Sequence, residues 1–289
     1  MENRSEARKM IFDFGGHVGQ DTDYYLKLGF RVVTVEPNPE LAARLRNRFR
    51  EQIVSGALSV VEAAIAERPG TGSFFKFEKS VFGTISPDWT ARNTQMGAKF
   101  EEIQVEYMTV AQLFDQFGCP YYMKLDIEGA DIICVEALRH LPKPSFLSVE
   151  VEKHDFAKFS SDVTLIHDLG YESFQLVQQE TVPFNKIPHP PREGRPVSHR
   201  FPFGASGMFG RDLAEDRWIS FEALLRSYEP IVAKHAKYGD FGLGKAWLPR
   251  QLLRVLRLYP GWHDLHCRFG APKTGGSTKN VEAARTAAH

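Results

Sequence analysis

Ile11-Phe12-Asp13-Phe14-Gly15-Gly16-His17-Val18-Gly19 is the stretch that decides the fold. Met10 to Phe14 is apolar enough for a buried strand, and Gly19 to Leu28 reads as a helix. Glycines between a strand and a helix let the backbone turn tightly and come close to a ligand. The start of the helix adds free backbone N–H groups. A dinucleotide loop would read G-x-G-x-x-G, but position 17 is His and position 20 is Gln. The spacing Asp13-x-Gly15-x-x-x-Gly19 fits instead a loop that holds a nucleoside with an amino-acid tail. Asp13 is then placed to reach the amine of that tail, directly or through water. Glu36 ends the next strand, 23 residues after Asp13, where an acid can accept hydrogen bonds from both ribose hydroxyls. The plain alternative is a strand-to-helix connection with no ligand, and His17 reads equally well as an exposed loop residue.

Outward from this loop, short apolar runs alternate with amphipathic stretches. Arg31–Val35, Leu58–Ile65, Tyr121–Leu125, Phe146–Val151 and Tyr171–Val177 read as strands. Pro39–Arg50, Val110–Gln116, Ala130–Leu138 and Ser161–Leu169 read as helices, with Thr109 able to cap the second. Ser73–Phe77 and Ile103–Tyr107 are shorter candidate strands. The alternation predicts an α/β fold, a mainly parallel sheet with helices on both faces. Past Asn185 the character changes. Pro183–Pro202 is proline-rich and reads as a loop or lid, and Trp218–Tyr238 and Trp247–Leu258 look helical. Residues 272–289 have a disorder-like composition.

Lys124-Leu125-Asp126-Ile127-Glu128-Gly129 lies at a strand's end. Alternation sets Lys124, Asp126 and Glu128 on one face, and Gly129 permits the turn into the next helix. Ligands of open α/β sheets bind beyond the carboxyl ends of the strands, so this triplet is a site candidate. The structural alternative is a lysine that neutralises buried carboxylates. Glu150 and Glu152 end the next strand and His154 follows. Were the two strands neighbours, the crowded carboxylates would supply a general base. They could also hold Mg²⁺, although nothing fixes a coordination geometry, and no metal is expected.

The chain has 289 residues, 36 Lys+Arg and 36 Asp+Glu, with 43% hydrophobic residues. That composition excludes global disorder, and zero net charge argues against a basic nucleic-acid coat. Cys119, Cys134 and Cys267 are far apart, which predicts reduced thiols in the cytoplasm. Met1–Lys9 does not read as a secretory signal, and no apolar run reaches 18 residues, so no membrane partner is expected. The zero sum hides two opposite halves. Residues 1–185 hold 19 Lys+Arg and 27 Asp+Glu; residues 186–289 hold 17 and 9. The two halves could simply dock on each other, or Arg192, Arg195 and Arg200 of the lid could meet an anionic acceptor.

These motifs together resemble the FkbM-type family of S-adenosylmethionine-dependent methyltransferases over about residues 10–178. The carriers are Asp13 to Thr22, Val35-Glu36-Pro37-Asn38-Pro39, Lys124 to Asp131, Ser148 to Val151, and Leu169-Gly170-Tyr171. Gly16-His17 stands where the family more commonly has Ala-Asn. The resemblance implies a class I (Rossmann-like) fold of seven strands, the last antiparallel. Residues 1–185 would form the donor-binding core. Residues 186–271 would hold the lid, the final core strand and a mostly helical extension. It implies S-adenosyl-L-methionine as methyl donor, held by Asp13, Gly15, Gly16, His17, Gly19, Asp21, Thr22, Glu36, Pro37, Asn38 and Asp126, with Ala63 and Ala64 near adenine. It implies O-methylation of a hydroxyl on a small sugar or secondary metabolite, and the lid arginines add that the acceptor could be anionic. Asp126 and Glu128 are first candidates to position or deprotonate the acceptor, with Lys124 as electrostatic partner, then Glu150 and His154. Trp262-His263-Asp264-Leu265-His266 could fold back over the acceptor or belong to ordinary packing. An NAD-dependent oxidoreductase, a non-catalytic nucleoside-binding module and a metal-dependent hydrolase are the competing readings.

Overall fold

β1 (Met10–Phe14) runs up the middle of a seven-stranded sheet. The computed structural model describes residues 9–270 apart from 78–82, 88–89, 92–93, 95–98, 240–241, 244–246 and 257. The expected tail at 272–289 and the N-terminal segment before Lys9 lie outside the described residues.

After β1 come α1 (Gln20–Lys27), β2 (Arg31–Val35), α2 (Pro39–Arg48), α3 (Arg50–Val54) and β3 (Leu58–Val61). A second sheet follows from β4 (Ala64–Ile65), β5 (Gly70–Phe77), β6 (Gly83–Thr84) and β7 (Phe100–Met108). The main sheet resumes through α4 (Val110–Phe117), β8 (Tyr122–Leu125), α5 (Asp131–Ala137), β9 (Phe146–Glu150), α6 (Phe156–Asp168) and β10 (Tyr171–Gln178). After a long strap come α7 (Phe221–Tyr238), α8 (Trp247–Val255) and β11 (His263–Phe269). The sheet order is β10-β11-β9-β8-β1-β2-β3, and β11 is antiparallel to both its neighbours. This is the class I methyltransferase order.

Local chemistry explains most boundaries. Asn38 caps α2 by accepting from the Glu40 N–H, and Pro39 sits at its first position. Thr109 and Gln112 form a capping box at α4. α6 starts five residues before the expected Ser161, because Asp155 accepts from the backbone of Ala157 and Lys158. The expected helix 39–50 is broken at Phe49, whose φ of −110° is not helical.

Two larger expectations need correction. Leu58–Ile65 is not one strand: its first half pairs with β2 and its last two residues pair with β7 in the second sheet. The shorter candidate strands also belong to that sheet, as the antiparallel β5–β7 pair. The proline-rich segment is a packed strap rather than a free lid. Phe201, Ala205 and Phe209 are buried against Tyr24, Tyr25 and Leu28 of the α1 region. Arg195 donates its backbone N–H to the Leu28 carbonyl and its Nε to the Lys27 carbonyl, at the end of α1 away from the glycine loop.

The core splits by sheet face. Phe12, Phe14, Met123, Leu125, Leu147, Val149, Leu265 and Cys267 pack under α4–α7. Ile11, Val32, Tyr122 and Phe146 pack under α1, α2 and the strap. No described helix is long and apolar enough to cross a membrane.

Candidate donor and acceptor cleft

Beyond the carboxyl ends of β1, β2 and β8 lies an open cleft. The β1–α1 loop forms its floor. Gly15 and Gly19 both have φ of +81°, a conformation that only glycine adopts without strain. A Cβ on Gly15 would collide with the Asp126 carbonyl, and one on Gly19 with the Phe49 ring. These glycines let the protein close on itself, and that sets the shape of the floor. Two non-glycine residues, His17 (φ 51°) and Glu128 (φ 53°), also stand in the left-handed region, and both line the cleft. Backbone strain of this kind collects where function requires it.

Glu36 is buried at the end of β2. One carboxylate oxygen accepts from the His17 N–H at 2.8 Å, the other from the Asn38 N–H at 2.9 Å. Burial outweighs these bonds and raises its pKa to about 7. Burial also pushes His17 below its usual value, which favours the neutral imidazole.

Lys124 sits at the back of the cleft among three carboxylates: Asp126 at 3.2 Å, Asp13 at 3.4 Å and Asp21 at 3.6 Å. Its burial opposes the charge, but the carboxylates more than offset this and hold its pKa well above the usual lysine value. The three differ in exposure: the Asp13 and Asp21 side chains are 1% and 6% exposed, that of Asp126 42%. Asp21 accepts the Ser206 N–H with both oxygens, which ties the strap to the first turn of α1. Burial raises its pKa to about 6, helped by Asp13 and Asp126 against Lys124.

Of the expected site residues, Gly15, Gly16, His17, Asp21, Glu36, Pro37, Ala63, Ala64, Lys124, Asp126 and Glu128 line the cleft. Asp13 does not. It accepts from Thr22 Oγ1 at 2.6 Å and faces Lys124, behind the cleft wall. Thr22 lies within 2.9 Å of Thr34 Oγ1 beneath the floor. Gly19 and Asn38 shape neighbouring turns and do not line the cleft. Glu150 stands at the rim, 3.6 Å from Lys153. His154 lies against His235, with ring centroids 5.9 Å apart, on the α7 side. Arg192 fails as an acceptor contact for the reason Arg195 does. Its neighbour Glu193 bonds Tyr121, which starts the β8 region at the far edge of the sheet.

Several contributors escaped the sequence. Phe74 and Ile85 come from the second sheet and its continuation, and Gly204 from the strap. Asp131 accepts from the Ile127 N–H and so holds the strained turn; burial raises its pKa to about 7. Thr84 Oγ1 donates to the Glu128 carbonyl at 2.6 Å. Asp264 is opposite Glu150 in the sheet, and its pKa is pushed well above the carboxylate range by burial and then by Asp126 and Glu150. The usable signals were the Gly204-Ala205-Ser206-Gly207 run and the Trp262–His266 stretch that carries Asp264. His266, in contrast, is buried within the sheet, where burial lowers its pKa to about 4. Among the described residues, no three His, Cys, Asp or Glu side chains converge as metal ligands would.

The family model of the methyltransferase FkbM domain matches residues 13–173. The chain belongs to this family. A probable ribosomal RNA small subunit methyltransferase A from Natronomonas pharaonis is 26% identical over 139 residues, which cover 47% of this chain and 49% of that protein. The chain thus spans about half the length of that relative. Among solved structures, the StiE O-MT segment is 12% identical with a TM-score of 0.40, covering 91% of this chain and 69% of its own. A Geobacter sulfurreducens S-adenosylmethionine-dependent methyltransferase bound to S-adenosyl-L-homocysteine is 10% identical with a TM-score of 0.35, covering 92% and 86%. Likeness of that size says nothing about the acceptor.

S-adenosylmethionine is the cofactor of this family, and the residues present fit it. A buried acid with both oxygens turned to the loop suits a ribose diol. Ala63, Ala64, Ile85 and Ile127 provide apolar wall for a base. Asp21, Glu36 and Asp126 outnumber Lys124, which suits a donor with a sulfonium and an ammonium.

Proposed function

We propose that this chain transfers a methyl group to a hydroxyl of a small, uncharged acceptor such as a sugar or a secondary metabolite. The observation that carries this reading is the asymmetry around Lys124: of its three carboxylates, Asp126 alone is substantially open to the cleft. Bound S-adenosylmethionine supplies the electrophilic methyl. The protein's share is alignment of the acceptor oxygen, exclusion of water and custody of a proton. Lys124 fixes the Asp126 carboxylate, whose free oxygen accepts the hydroxyl proton. Glu128 plays a different part. Burial, then Glu150, Asp126 and Asp131, push its pKa well above the carboxylate range, so the protonated form is favoured and donates a hydrogen bond. Loop closure around Glu36, the apolar walls and the strap keep water out.

The rim also bears on the acceptor. Asp126 opens there beside Glu150, and a phosphate backbone would meet these two carboxylates as like charges. This supports a small neutral acceptor over the RNA named for the archaeal relative, and revises the expected anionic one. Transfer from labelled donor to a panel of sugars and hydroxylated metabolites tests it. Asp126→Ala is expected to lower kcat about 10²–10⁴-fold. Full transfer by that variant removes Asp126 from the mechanism.

A further inference from the structure

Phe203 is a large apolar side chain left 64% exposed beside the cleft. It is not loosely held. Ala205 donates its N–H to the Pro202 carbonyl at 3.2 Å, which closes a turn over Phe203 and Gly204. Gly204 has φ of +84°, as the third residue of a type II turn requires. Phe201 and Ala205 are buried on either side, and the Ser206 N–H reaches both Asp21 oxygens at 2.9 and 3.1 Å. The turn is thus fastened to the start of α1, and Gly204 at its tip lines the cleft.

The Phe203 ring meets the Trp262 ring with centroids 5.5 Å apart and planes at 83°. Trp262 is half-buried and held through its backbone, its carbonyl accepting the Gln179 N–H at 2.9 Å just before β11. Asp264 follows two residues later on the same side of the sheet, within reach of the charges of Asp126, Glu150, Lys124 and Asp21. The aromatic pair is therefore continuous with the part of the cleft where Asp126 opens. In sheet order, Ala63 and Ala64 follow β3 at one end, whereas Trp262 precedes β11 on the other side of β8. The pair stands away from the wall that suits the donor's base.

A single exposed phenylalanine needs no ligand to explain it. Two perpendicular rings on a fastened turn, next to carboxylates that are 42% and 30% exposed at Asp126 and Glu150, make a corner with an apolar wall and hydrogen-bond acceptors. We propose that Phe203 and Trp262 recognise a hexopyranose ring of the acceptor, its C–H face on the aromatic rings and its hydroxyls toward Asp126 and Glu150. The inference rests on the methyl-transfer reading for the place of the acceptor, and it selects the sugar from the two acceptor classes named there. Sugar carbons carry hydrogens polarised by the neighbouring oxygens, and these meet the negative face of an aromatic ring favourably. Ionised carboxylates only accept, and a sugar offers hydroxyl donors all round its edge. A flat aromatic metabolite stacks best between parallel walls, which this corner does not have.

Saturation-transfer NMR on the full chain loaded with S-adenosylhomocysteine tests the recognition without any methyl transfer. The probes are the methyl glycosides of glucose, galactose and rhamnose, with catechol as the flat competitor. At least one glycoside is expected to receive saturation at its C–H protons, and Phe203→Ala to lower that signal about fivefold. Trp262→Ala should do the same and Trp262→Phe restore most of it. The Phe203→Ala melt and its affinity for S-adenosylhomocysteine should match the unaltered chain, since that side chain is exposed. Silence from every glycoside overturns the inference, as does a signal that Phe203→Ala leaves intact. So does catechol binding through Phe203 where the glycosides do not. Kinetics separate this from the reaction itself. For a methylated sugar, Phe203→Ala should raise KM about tenfold with kcat within about twofold. A hydroxyl methylated with the same KM in Phe203→Ala sinks the corner and leaves the reaction standing. A glycoside bound through Phe203 but never methylated sinks the reaction and leaves the corner.

Discussion

The two faces of the main sheet are made from the same strands and do opposite work. In β8, Met123 and Leu125 enter the apolar cluster under α4–α7, while Tyr122 and Lys124 face α1 and the strap. In β9, Leu147 and Val149 go one way and Ser148, bonded to Tyr122, goes the other. In β11, Leu265 and Cys267 are core, whereas Asp264 joins the acidic rim. One face is thus held by burial of apolar area, while the other adds a network of buried charges to its own apolar cluster. The second is the costlier way to hold a fold, because each buried ion must keep its partners. It is tolerated because the cleft needs charge where the strands end.

Lys124→Ala should disturb that balance most. It leaves Asp13 and Asp21 buried without their cation, and a loss of about 4 kcal/mol is expected in urea denaturation. Leu147→Ala on the apolar face should lose about 3 kcal/mol through a cavity, with donor affinity by calorimetry unchanged. A change in affinity there would mean that the faces are not separable. The smallest effect is a pH dependence. With Glu36 at about pKa 7, affinity for S-adenosylhomocysteine should rise about tenfold between pH 6 and 8, as the ionised acid becomes available to the ribose. Glu36→Gln should flatten that rise. The sign for stability is the reverse. The folded state holds this proton more tightly than the unfolded chain does, so the donor-free protein should become less stable as pH climbs from 4.5 to about 7. Melting temperatures across that range check it.

The donor side was legible because it is local. Gly15, Glu36 and the turn between them come from one β-α-β unit, and spacing alone sets them near each other. Asp13 shows the limit of that reading. Its place in the motif was clear, but only the fold reveals that it also contacts Lys124 and Thr22. The acceptor side was scarcely legible because it is assembled from distant parts. Asp126, Glu150, Asp264 and Gly204 come from four segments, and no periodicity connects them. The strap misled for a related reason. Prolines signal a segment without regular structure, but not whether Phe201 and Phe209 will bury it.

β11 lies between β9 and β10, yet nearly the whole chain precedes it. As the protein emerges from a ribosome, β10 therefore has no partner strand, only the Phe174–Ile219 bridge, until residues 263–269 are made. For that interval β9 and β10 both present unpaired backbone, the kind of edge that recruits other strands. The sheet's closure is a late event set by the order of synthesis. A ribosome stalled before His263 would release a chain whose donor loop can form but whose sheet still has a gap.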